Sequence, residues 1–137
     1  MTGRWTCPAC EREFGRARQA HVCVPGCTVD DSFAGRPAEY RRIYDAIIGF
    51  VRTLGPVHED AVSVGVFLKA SRSFAEVRPV ARSVNLWIVL GRPLSGARIG
   101  RAERASAGRH AHLVKLTSVD QVDDELRGWL EEAYLDG

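Results

Sequence analysis

A set of soft metal donors leaves the start of this chain few ways to fold. Cys7 and Cys10 form a C-x2-C pair, and His21 and Cys23 complete the pattern C-x2-C-x10-H-x-C. Two thiolates on a tight knuckle, with a His and a Cys at the end of a short helix, form the four-ligand set that Zn²⁺ prefers. Trp5, Phe14 and Val22 are nearly all the core this segment can build, so metal binding is expected to supply its folding energy. Four protein ligands close the site to water and substrate, which makes the expected role of Zn²⁺ structural. Cys27 offers a rival to His21, as C-x2-C-x12-C-x3-C. No N-terminal apolar run reads as a secretory signal, and the longest apolar run, 86–90, is far too short to cross a bilayer. A cytoplasmic protein with no membrane segment is expected. In that compartment thiols stay reduced, which favours ligation over disulfides for the four cysteines.

The remaining elements follow from apolar spacing. Phe14, Ala17 and His21 share one face of a short helix expected over 14–21, and Pro25 opposes its continuation. Residues 24–38 are rich in Pro, Gly, Asp and Ser and read as a connector, where Asp30, Asp31 and Ser32 can cap one turn around Phe33. The expected division is a zinc-finger-like module over 1–28, a linker over 29–37 and an α+β domain over 38–137. Pro37 opens a helix whose Tyr40, Ile43, Tyr44, Ile47, Val51 and Leu54 form one apolar stripe, stopped by Gly55-Pro56. Period-two alternation then marks four strands: one run through Val62, Val64, Val66 and Leu68, then 74–78, 83–90 and 110–116. Residues 91–108, rich in Gly, Ser and Arg, read as a long mobile loop. Ser118 and Gln121 match a capping box. Val122, Leu126, Trp129, Leu130, Ala133 and Tyr134 supply the apolar face of a terminal helix. Short links favour antiparallel pairing. The expected fold is α+β, a small antiparallel sheet with two helices packed on one face. Trp87 and Trp129 are expected in the core, His58 and Glu59 in a loop, and His110 and His112 together on one polar strand face.

Charge is distributed unevenly although the net charge is only +2. From 69 to 115 there are ten basic residues and two acidic ones; from 116 onward there are seven acidic residues and one basic, Arg127. An Arg-rich face of Arg92, Arg98, Arg101, Arg104 and Arg109, joined by Arg12, Arg16 and Arg18 on the finger, suits nucleic acid or another anionic partner. The competing explanation is composition: nearly every cation is Arg, beside abundant Ala, Gly and Val, as GC-rich bacterial coding produces.

The pattern W-x-C-P-x-C-x-R-x-F-x-R-x-x-Q-x-H-x-C over 5–23 resembles the start of a bacterial family of unknown function, sometimes filed as a predicted transport protein. Gly55-Pro56-Val57, Phe74-Ala75-x-Val77-x-Pro79 and Asp124-Glu125-Leu126-x-x-Trp129-Leu130 before Ala133-Tyr134 extend the resemblance over nearly the whole chain. It implies a zinc-ribbon-like start and favours His21 over Cys27 as ligand, because Cys27 falls outside the matching pattern. It brings no catalytic residues. Relatives usually carry Gly after the second Cys; Glu11 stands there in this chain. More loosely, the second domain is similar to small frataxin-like or DNA-binding-like α+β domains.

No nucleophile with a base beside it, no phosphate-binding Gly loop and no carboxylate pair at catalytic spacing occurs in the sequence. The expected function is therefore a zinc-binding interaction protein whose partner is nucleic acid or a protein. The alternative is a pocket for a small anionic metabolite, or an enzyme site, built around Lys69, Arg78, Arg82 and His112.

Overall fold

The computed structural model describes residues 5–6, 13–14, 28–62 and 65–136. Cys7, Cys10, Arg12, Arg16, Arg18, His21, Cys23 and Cys27 lie outside the described residues. Strands β1 (Trp5–Thr6) and β2 (Glu13–Phe14) pair antiparallel, with Trp5 opposite Phe14. Of the helix expected over 14–21 only Phe14 is described, and it is in a strand.

Helix α1 (Val29–Phe33) is the short turn expected around Phe33, but its cap is Thr28. The Thr28 hydroxyl accepts the Asp31 N–H at 3.2 Å, and the Asp31 carboxylate accepts the Thr28 N–H at 3.0 Å. That reciprocal pair satisfies two N–H groups a helix start would leave bare. Phe33 is buried and meets the Tyr44 ring at 5.2 Å between centroids. The stretch read as a linker is thus in part a helix anchored in the core.

Helix α2 (Ala38–Arg52) starts after Pro37 and buries Tyr40, Ile43, Tyr44, Ile47, Ile48 and Val51. Six antiparallel strands follow: β3 (His58–Val62), β4 (Gly65–Lys69), β5 (Ser73–Pro79), β6 (Val84–Leu90), β7 (Arg101–Ser106) and β8 (Arg109–Leu116). Their order in the sheet is β3-β4-β5-β6-β8-β7. The Ser118–Gln121 capping box closes a 3-10 turn, Val119–Gln121. Helix α3 (Asp124–Asp136) has its own N-terminal acceptor, since Leu126 N–H reaches Asp123 at 3.1 Å. Among the described residues no helix is long and apolar enough to cross a membrane.

Two expectations are corrected. Val62 does not share a strand with Val66 and Leu68: Val62 ends β3 and pairs with Gly65 at the start of β4, and His58 and Glu59 belong to β3 rather than a loop. Val64 lies outside the described residues. Residues 91–108 are likewise not one loop, because they contain β7. Every residue of β7 is exposed, so it lacks the apolar rhythm that reveals a strand. It exists because β8 offers a free edge to pair with.

Register sorts the strand residues onto two faces. Val66, Leu68, Ala75, Val77, Val84, Leu86, Ile88, Val114 and Leu116 occupy one face and form a single core cluster with the buried residues of all three helices. Leu68 pairs with Ala75 and Lys69 with Ser73, leaving Phe74 as an extra residue between them. This bulge lets Phe74 drop into the core, where it meets Tyr134 edge-on at 5.5 Å.

The β3–β4 hairpin crosses β5 closely at Gly65. A Cβ there would sit 2.5 Å from the Val77 carbonyl oxygen and 3.1 Å from the Arg78 Cα. Both neighbours are backbone and cannot turn aside. Gly65→Ala is expected to cost about 2 kcal/mol, measured as a lower urea midpoint at unchanged m-value.

Candidate functional site

All three helices pack on one face, and among the described residues the other face carries no helix. Register assigns to it Asp60 from β3, Phe67 and Lys69 from β4, Glu76 and Arg78 from β5, Asn85, Trp87 and Val89 from β6, and Ala111, Leu113 and Lys115 from β8. Arg101 and Glu103 extend it onto β7. Trp87 stands near its middle and is half-buried, not in the core as expected. Trp129 does pack against the core.

A groove of about 340 Å³ opens beside Trp87, lined by Phe67, Ser73, Glu76, Val89, Glu103 and Ala111 among others. Its lining is part polar and part apolar. Ion pairs join Arg78 to Glu76 and Arg101 to Glu103, at 2.6 Å for the second, and Lys69 meets Asp60 at 2.8 Å on the same face. Arg78 sends both Nε, at 3.0 Å, and Nη2, at 2.5 Å, to one Glu76 oxygen.

The predicted Arg set is divided by the fold. Arg92 makes two hydrogen bonds to Glu132 of α3, at 2.9 and 3.0 Å. Arg98 reaches Asp123 at 2.9 Å, Glu125 at 3.1 Å and the Gln121 carbonyl at 2.7 Å, and lies over the Trp129 ring. The Arg98 guanidinium, with the Leu126 N–H, holds the Asp123 carboxyl below the usual carboxylate range. The charge asymmetry of the sequence is thus partly satisfied inside the molecule, the cationic segment folding back on the acidic helix. Register places Arg104 with His110 on the helix side of the sheet, away from the groove. Among the described members of the predicted set, Arg101 and Arg109 reach the uncovered face.

Arg109 begins β8 and donates from Nη2 to the Ser73 carbonyl at 3.2 Å. Arg72 immediately precedes Ser73. Burial, followed by the Arg72 charge, pushes the Arg109 guanidinium down from its ordinary value, against a smaller pull from Asp136. Arg72 carried no signal in the sequence beyond its charge; only the Arg109–Ser73 contact across the end of β6 draws it to the site.

Lys69, Arg78, Arg82 and His112 do not share a pocket. Lys69 and Arg78 are on the uncovered face, Arg82 is in the β5–β6 turn, and His112 is fully buried on the opposite face. His112 is therefore not polar surface. Its Nε2 accepts the Leu94 N–H at 2.8 Å, and its Nδ1 lies 3.2 Å from the Ile88 carbonyl. The partners assign the proton to Nδ1. Burial, outweighing the Ile88 hydrogen bond, holds the imidazole below its ordinary pKa. Among the described residues no group of three or more His, Cys, Asp or Glu side chains is arranged to hold a metal.

Residues 29–137 match a protein family described as a domain of unknown function (DUF5655), the match beginning at the first residue of α1. No curated protein and no solved structure matches the chain.

Proposed function

The chain belongs to this family of unknown function, and from the geometry of its uncovered sheet face we propose that it is an interaction protein for single-stranded nucleic acid. One observation carries the reading: a half-buried Trp at the centre of an antiparallel face on which no described helix packs, with more cations than anions around it. Lys69, Arg78, Arg101, Arg109 and Lys115 stand against Asp60, Glu76 and Glu103 on that face. Sheet faces of this composition can stack splayed bases on aromatic rings while arginines follow the phosphates. Duplex bases are stacked on each other and cannot reach Trp87, so the preference is for single strands.

The test is fluorescence polarisation of labelled single- and double-stranded oligonucleotides with the full chain across a salt series. Affinity should fall with salt, and Trp87→Ala should weaken single-strand binding about tenfold, the worth of one stacked base. Equal affinity for duplex and single strand, or no binding at low salt, removes the reading.

The first module supports the same role as a zinc-tied cap carrying Arg12, Arg16 and Arg18. The paired strands β1 and β2 bracket Cys7 and Cys10 in sequence, an arrangement suited to a cysteine knuckle. Cys7, Cys10, His21 and Cys23 would hold Zn²⁺ in a closed structural site. Metal analysis should find one zinc per chain in Cys27→Ser and a loss of bound zinc in Cys23→Ser. Loss of zinc in Cys27→Ser would replace His21 by Cys27 in the ligand set, and zinc kept in Cys23→Ser would overturn both sets.

A further inference from the structure

We propose that the rim of the uncovered face between Arg72 and Arg109 is a subsite for a phosphate monoester, with the groove beside Trp87 receiving the planar ring attached to it: a mononucleotide site. The inference deepens the nucleic-acid reading, sharing Trp87 with it.

Position comes first. Arg109 reaches across the end of β6 to the Ser73 carbonyl, and Ser73 itself lines the groove. Arg72 is the neighbouring residue in the β4–β5 turn. Both cations therefore stand beside one lining residue of the groove that also holds Trp87, Val89 and Ala111: Arg109 is bonded to Ser73 and Arg72 precedes it in the chain.

Charge comes second. Lys69, Arg78 and Arg101, the other cations around the groove, each have a carboxylate partner. Among the described residues no carboxylate lies within ion-pair distance of Arg72 or Arg109. Two like charges close together, one of them partly desolvated, are held at a cost that an anion would relieve. A monoester carries a charge of about −1.5 to −2 near neutral pH and answers both guanidinium groups. A diester, with a single charge, answers one. Arginine forks match phosphate oxygens in pairs, and a planar fork suits this better than an ammonium.

Size comes third. A volume of about 340 Å³ is at the lower end of small-ligand cavities and suits one ring with its sugar. Glu76 and Glu103 also line the groove. Held by Arg78 and Arg101, they lie beside the ring rather than at the cationic rim, where they suit a base bearing N–H donors.

Calorimetric titration of the full chain with adenosine 5′-monophosphate, adenosine and inorganic phosphate tests the assignment. The monophosphate should bind about tenfold or more tighter than either fragment, the effect of one charge-assisted contact set. Arg72→Ala should remove about tenfold of that affinity with no change in melting temperature, because Arg72 is an exposed turn residue. Arg109→Lys should remove a similar factor while keeping the charge. Adenosine binding as tightly as the monophosphate, or both variants binding like the parent, overturns the subsite. If unphosphorylated oligonucleotides bind while the monophosphate does not, the subsite falls and the strand reading stands. If the monophosphate binds with Arg72 dependence and oligonucleotides do not, the subsite stands and the strand reading falls. A 5′-phosphorylated oligonucleotide exceeding its unphosphorylated form by the same Arg72-dependent factor supports the subsite and identifies a strand end as a source of the monoester.

Discussion

Leu86→Ala is expected to lower the unfolding free energy by about 3–4 kcal/mol. Leu86 is fully buried on β6, with β5 on one side and β8 on the other. Its cross-strand neighbours are Val77 and Val114, both in the core, and α3 packs over the strand. A cavity there is walled by two paired strands and a helix, none of which can collapse into it without breaking a ladder. The next residue gives the contrast. Trp87 removes more side-chain volume on truncation, yet it faces the uncovered side, where solvent fills the space. Trp87→Ala should therefore cost only about 1 kcal/mol while weakening ligand binding. Chemical unfolding of the two variants in parallel checks this. A larger loss from Trp87 than from Leu86 would mean that the sheet has been assigned the wrong covered face.

The elements legible in the sequence are those that bury one face. The stripe of α2, the alternation of β6 and the Ser118–Gln121 box all report contacts with core or cap that a residue pattern must satisfy locally. β7 was illegible for the opposite reason: Arg101–Ser106 buries no side chain, and its ladder to β8 is a backbone property. The β3–β4 pairing was hidden because the apolar rhythm of the sequence runs from Val62 to Val66 and Leu68 without a break, although Val62 belongs to one strand and Val66 and Leu68 to the next. The candidate site was legible only in part. Clustered arginines pointed to an anion, but sequence proximity could not show that α3 neutralises Arg92 and Arg98 while Arg109 turns toward Arg72. His112 was misplaced because two alternating histidines on a strand look the same whether the face they share is wet or dry.

His112→Ala is expected to cost about 2–4 kcal/mol near neutral pH and to flatten the pH dependence of stability. The imidazole is fully buried and spans two backbone groups, the Leu94 N–H and the Ile88 carbonyl. Truncation leaves a cavity and strands an N–H that pins the segment after β6 onto the sheet. The pH effect follows from the same geometry. A proton added at Nε2 would meet the Leu94 N–H, a donor facing a donor. His110 and Arg92 also oppose a positive ring, while Glu132 favours one. The folded pKa therefore lies below the ordinary value of 6.5. Below 6.5 the unfolded chain takes up a proton that the folded chain refuses, so stability falls as pH drops through that value and on toward the folded pKa. Glu39 and Asp123 are held below their ordinary values of 4.5 and 3.8, so their contribution is lost in a separate, more acid window. Urea midpoints from pH 7.5 to 5 for the parent and His112→Ala isolate the contribution of His112 as a difference, in which any contribution from residues 1–27 cancels. Parallel curves for the two proteins would show that His112 titrates alike in both states and would refute the buried, neutral assignment.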